Sequence, residues 1–187
     1  MKPARTPHDL ASRATIKIRL KNITQLFNSL DPSPFIEKDL DADAEAFIEG
    51  WAAETHQDVR LRLVLHIETP VEDPAAREGI IDAIHNFFAY KAENTRRELR
   101  HLLGVGRLSL LIGLLFVAIC IAAAQGISGL WQGTIAEIVG QSLIIVGWVA
   151  MWRPLEIFLY DWWPIARRAR LHRRLSTMPI DFASTGH

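Results

Sequence analysis

The sequence predicts a small cytoplasmic α/β domain of βαβα order, its small sheet carrying helices on one face. A two-helix transmembrane hairpin and an interfacial, basic C-terminal helix are expected to follow. Three observations carry that expectation. Residues 13–21, RATIKIRLK, and 58–68, DVRLRLVLHIE, alternate apolar and polar side chains, the period of a half-buried strand. Residues 108–136 and 138–152 hold no charged side chain, and each run, with its flanks, reaches the ~20 residues that cross a bilayer. Arginines crowd the outer flanks of both runs, while the loop between them, GISGLWQG, has none.

Taken in order, residues 1–12 read as a disordered N-terminus and 13–90 as the domain. Residues 1–30 lack the apolar core of about 7 or more residues that a signal peptide needs, so the domain is expected to stay where it is made. In the first strand Ala14, Ile16, Ile18 and Leu20 face one way, and Thr15, Lys17, Arg19 and Lys21 the other. A turn-rich loop, NSLDPSP, follows. Next, Leu40, Ala44, Phe47, Ile48 and Trp51 recur at helical spacing, with Asp39 or Asp41 placed to cap the helix. The second strand puts Val59, Leu61, Leu63, Leu65 and Ile67 opposite Arg60, Arg62, Val64, His66 and Glu68. Asp73 and Pro74 then open a second helix whose stripe is Ile80, Ile81, Ile84, Phe87 and Phe88. No breaker appears before Gly104, so this helix should run on as a stalk, 91–104, into the first span.

Two strands make a marginal sheet. An edge strand is therefore expected to pair with a second copy in a homo-oligomer. Lys17, Arg19, Lys21, Arg60 and Arg62 should share the exposed sheet face, offered to lipid headgroups or a protein partner. No aromatic residue interleaves with them, and nucleic acid is not expected.

The spans are expected at about 105–125 and 134–154, joined by a short periplasmic loop. Small residues recur every seventh place: Gly106, Gly113 and Cys120 in the first, Gly133, Gly140 and Gly147 in the second. Such stripes let helix backbones approach closely, within one hairpin or between copies. Trp148, Trp152, Trp162 and Trp163 are expected as anchors on the inner side and Trp131 on the outer. Glu137 and Gln141 are the candidate intramembrane polar pair. Glu137 should face about residue 121, some 21 Å along the helix from Arg107, too far to pair with it. Beyond Pro154, residues 155–178 read as an interfacial and basic segment, and 179–187 as a disordered tail. Arg167, Arg168, Arg170, Arg173 and Arg174 suit anionic lipid and, with Arg96, Arg97, Arg100 and Arg107, place both termini in the cytoplasm.

Chemistry is scarce. Asp39, Asp41 and Asp43 alternate like the start of a calcium loop, but the sixth position is Ala44 and the twelfth Gly50, where Gly and Glu are required. No G-x-S-x-G, Walker loop, H-E-x-x-H or C-x-x-C occurs, and the histidines show no metal-ligand spacing. Cys120 is the only cysteine, so no intrachain disulfide forms. Lys plus Arg equals Asp plus Glu, at 21 each, so net charge selects no partner. The expectation is a non-enzymatic membrane protein without cofactor or metal, whose domain self-associates or docks a partner. The alternative is an oligomeric channel or transporter subunit using Glu137 and Gln141.

DPSPF followed by DLD, and RPLEIFLYDWWPI after the second run, resemble segments of bacterial two-span inner-membrane proteins of no known activity. The resemblance implies the bacterial inner membrane and carries no functional residue with it.

Overall fold

The structure is a computed structural model that describes residues 13–28, 39–69, 71–130 and 133–184. The expected disordered N-terminus, most of the NSLDPSP loop and Trp131 lie outside them. The chain is mostly helical, with a small parallel sheet and two helices long and apolar enough to cross a membrane. It divides into two compact units, residues 1–94 with 168–187, and residues 95–167.

In the first unit, strand β1 (Arg13–Leu20) leads through a 3-10 turn (Ile23–Leu26) to helix α1 (Ala42–Glu54). Asp41 caps α1, its Oδ1 accepting from the N–H groups of Asp43 at 3.0 Å and Ala44 at 3.4 Å. The aspartates are a helix start, as the residues after them require. Ile48 and Ala52 turn inward, whereas Phe47, counted in the apolar stripe, is half exposed. Strand β2 (Arg60–Ile67) pairs parallel with β1, Ile16 opposite Leu63 and Ile18 opposite Leu65. Helix α2 (Pro74–Leu130) begins at Asp73, whose carboxylate accepts from the Ala75 N–H at 2.9 Å, and passes Gly104 and Gly106 without a break.

The sheet has a third strand that the sequence reading lacks. Strand β3 (Ile180–Ser184) pairs parallel with the free edge of β2, Leu65 opposite Phe182. Residues 180–184 are therefore not a disordered tail, and the two-strand argument for borrowing an edge from a second copy falls away. The core draws on the inner face of β1 and β2, on Ile48 of α1, on Ile80, Ile84 and Phe88 of α2, and on Leu175 and Met178 near the C-terminus.

In the second unit α2 is followed by helix α3 (Thr134–Ala150). After Met151 come helix α4 (Trp152–Glu156), a π-helical turn (Ile157–Asp161) and helix α5 (Trp162–Leu175), whose last residues, from Arg168, belong to the first unit. The region read as one interfacial segment, 155–178, is thus divided: its first part completes the helical hairpin, and its last part builds the domain.

Candidate functional site

One face of the sheet supplies the core; the other has no layer over it among the described residues. Across the open face the register sets Thr15 beside Arg62, Lys17 beside Val64 and Asp181, and Arg19 beside His66 and Ala183. Lys17, Arg19, Lys21 and Arg60 are exposed. Among the described residues no carboxylate lies within ion-pair distance of any of them. Arg62 is different. Its Nε donates to Asp181 Oδ2 at 2.5 Å, and both side chains are 42% exposed. That hydrogen bond raises the Arg62 pKa and lowers that of Asp181. Arg62 is expected from sequence to stand with the other cations of this face; β3 brings Asp181 to it instead.

At the starting ends of β2 and β3 lies an open depression of about 790 Å³, lined by Asp58, Arg60, Arg62, Arg174, Thr177 and Asp181 among others. Arg174 Nη2 donates to the carbonyls of Val59 at 2.6 Å and His56 at 3.2 Å. Two of the three arginines are therefore engaged in holding the C-terminal segment to β2. Ligands of parallel sheets gather at the opposite, carboxyl ends of strands.

Helix α5 also carries an imidazole into the interior. His172 is 6% exposed, and its Nε2 lies 2.9 Å from Glu49 Oε1 without the alignment of a hydrogen bond. Lys91 of α2 pairs with Glu45 and reaches Glu49 at 3.5 Å, with its ammonium 5.4 Å from the centre of the Phe87 ring. Burial pushes the Lys91 pKa down, and the charge of Asp39 opposes this. The cluster joins α1, α2 and α5. Sequence reasoning missed all four residues, although Glu45 and Glu49 share a helix face at i,i+4 spacing. The remaining arginines, Arg167, Arg168, Arg170 and Arg173, are exposed. Among the described residues no group of three or more His, Cys, Asp or Glu side chains could hold a metal.

In the second unit Gly106, Gly113 and Gly147 lie where α2 packs against the segment from α3 to the π-helical turn, and Gly147 meets Cys120 of the other stripe. A Cβ on Gly147 would lie 3.4 Å from Cys120 Cβ and 3.5 Å from Val117 Cα. One on Gly113 would meet Met151 Sδ at 2.9 Å and Pro154 Cγ at 3.7 Å; one on Gly106 would meet Ile157 Cγ2 at 2.8 Å. Gly140 is buried, while Gly133 has open space around it. The seam therefore lies within the hairpin, and it runs on past Pro154 to Ile157. Pro154 does not end the pairing: it sits in the first turn of α4, where its missing N–H costs little.

This register moves several expected positions. Gly147 lies against Val117 and Cys120, so Glu137, ten residues earlier, is level with the last turns of α2 and not with residue 121. That is roughly 30 Å of helix from the level of Arg107. Glu137 lies in the first turn of α3, where its charge suits the helix dipole, and Gln141 follows one turn later; both are exposed. Trp148 is exposed, one residue after Gly147 and five before Arg153. Trp152 and Trp163 are exposed, whereas Trp162 is turned in, its indole N–H donating to the Phe158 carbonyl at 2.8 Å. Arg153 holds both acids of the following stretch, Glu156 at 2.9 Å and Asp161 at 3.3 Å. On a regular helix a residue eight places on would be about 80° away. The π-helical turn unwinds part of that angle and brings Asp161 round.

Comparison with family models, curated proteins and solved structures finds no match.

Proposed function

We propose that this chain is a non-enzymatic integral protein of the bacterial inner membrane, anchored by the hairpin, with both termini cytoplasmic and the α/β unit serving as a docking module. The observation that carries the reading is the surface of the hairpin away from its seam. Leu111, Leu115, Ile145 and Val149 are each more than 60% exposed, and they belong to a continuous apolar coat. Apolar surface on this scale calls for lipid or a partner. The arginines flanking the hairpin, against a loop that has none, support the inward placement of both ends. The docking role rests on the open sheet face, since all-parallel sheets are ordinarily covered on both faces. The channel reading loses support because Glu137 and Gln141 sit together at one end of the hairpin, with no polar series leading from them to Arg153.

The test is cysteine accessibility in a Cys120→Ser background. With an impermeant maleimide, Gly129→Cys should label in spheroplasts, while Glu54→Cys and Ser176→Cys should label only after lysis. Labelling of Glu54→Cys in intact spheroplasts, or release of the protein by alkaline carbonate, would overturn the reading. Native mass spectrometry from mild detergent then separates self-association from a foreign subunit.

A further inference from the structure

We propose that the open face of the β1–β2–β3 sheet docks on an anionic phospholipid surface. The inference rests on the membrane reading above and names what the docking module meets. Three features carry it. First, among the described residues no element packs over this parallel-sheet face, and Ile16 to Arg19 of β1 and Arg60 to Ile67 of β2 alternate buried and more accessible side chains. Second, its charge is one-sided. Lys17, Arg19, Lys21, Arg60 and Arg62 stand there against Asp181 and Glu68, and Asp181 is already taken by Arg62. The four remaining cations have no ionic partner among the described residues. Third, the unit is joined to the apolar hairpin twice, at residues 94–95 and 167–168. A module tethered in this way meets headgroups at high effective concentration, whereas a soluble partner must come from dilution.

The flat, cation-studded surface suits many phosphates at once. It does not resemble a pocket for one: the guanidinium groups of Arg62 and Arg174 that line the nearby depression are held by protein acceptors. Face-to-face pairing with a second copy would set like charges together. Lys17 and Arg19 project from an edge strand, where their charge also discourages strand-to-strand addition.

The experiment is acylation footprinting of the full chain in nanodiscs, read by mass spectrometry at Lys17 and Lys21, with the half-buried Lys91 as internal reference. Discs of phosphatidylcholine are compared with discs containing phosphatidylglycerol. Lys17 and Lys21 should acylate about threefold or more slowly in the anionic discs, with Lys91 unchanged, and high salt should abolish the difference. Arg19→Glu/Arg60→Glu, which leaves both reporter lysines in place, should remove the protection; its far-ultraviolet circular dichroism confirms that the fold persists. Equal rates in the two kinds of disc would overturn the proposal. So would equal protection by inorganic phosphate in zwitterionic discs, which would mark a small-anion site. Failure of the chain to enter discs at all would instead overturn the membrane reading, so the two failures are distinguishable.

Discussion

Leu175 tests whether the basic C-terminal helix is part of the domain core. Its side chain has no exposed surface and lies in the cluster formed by β1, β2, α1 and α2. Replacing a buried leucine by alanine costs roughly 2–5 kcal/mol, made up of lost transfer energy and the cavity left behind. The β2 backbone, between two strands, opens only with the unit as a whole. At tenfold per 1.4 kcal/mol, the low end of that range gives about 25-fold faster hydrogen exchange at β2 amides, and 3 kcal/mol about 100-fold. The assay is hydrogen exchange of the full chain in micelles, followed by mass spectrometry at residues 60–67. Arg173→Ala, two residues away and exposed, is the control and should change β2 exchange very little. If 168–175 were only a membrane-surface helix, Leu175→Ala would leave β2 protection untouched. An acceleration below about threefold would refute the reasoning.

Three further outcomes are expected. Gly147→Leu should lower the thermal midpoint of the hairpin in detergent, overpacking costing about 1–3 kcal/mol, while Gly126→Leu, with open space around it, should not. Lys91→Met should destabilise the first unit by about 1–2 kcal/mol in thermal melts, because Glu45 and Glu49 lose the cation between them. Asp181, whose pKa is lowered by Arg62, adds stability that is complete above the ordinary carboxylate value and is lost as pH falls through the lowered one. Protection factors at residues 180–184, taken relative to the intrinsic exchange rate at each pH, should therefore fall on acidification, and Asp181→Asn should flatten that dependence.

Local signals were legible in the sequence. Alternation gave β1 and β2, Asp41 and Asp73 marked helix starts, and the seven-residue glycine spacing gave a seam. What stayed hidden depends on distant partners. Strand β3 has five residues, and only its pairing with β2, more than a hundred positions earlier, makes it a strand. In the helix before it, the dense arginines had a sufficient reason in topology, which concealed the inward stripe of Leu171, His172 and Leu175. Pro154 read as an end because its ring breaks a helix interior. At the start of a new helix the same ring packs on Gly113. The open-face cations were legible by parity, but the pairing of Arg62 required β3.

The position of β3 in the chain has a consequence for the order of folding. β2 is the central strand, yet its second neighbour is made only after both apolar helices. Between Ile67 and Ile180 the ribosome needs about 6–23 s at ordinary rates of synthesis. During that interval β2 presents an unpaired edge, and the core lacks Leu175, Met178 and Phe182. Residues 1–94 should therefore hold only a partly packed unit until the hairpin is complete. A chain stopped after Arg167 should show β2 amides exchanging at least tenfold faster than the full chain, and should be cut readily by protease within residues 56–72. Supplying residues 168–187 as a separate peptide should restore protection, since the contacts of α5 and β3 with the unit are non-covalent. If the shortened chain kept full protection at β2, the third strand would be an ornament on a finished fold. If it lost protection and the peptide restored it, completion of the domain would report that the second apolar helix had been made, a link that strand pairing creates and that no local signal in the first hundred residues contains.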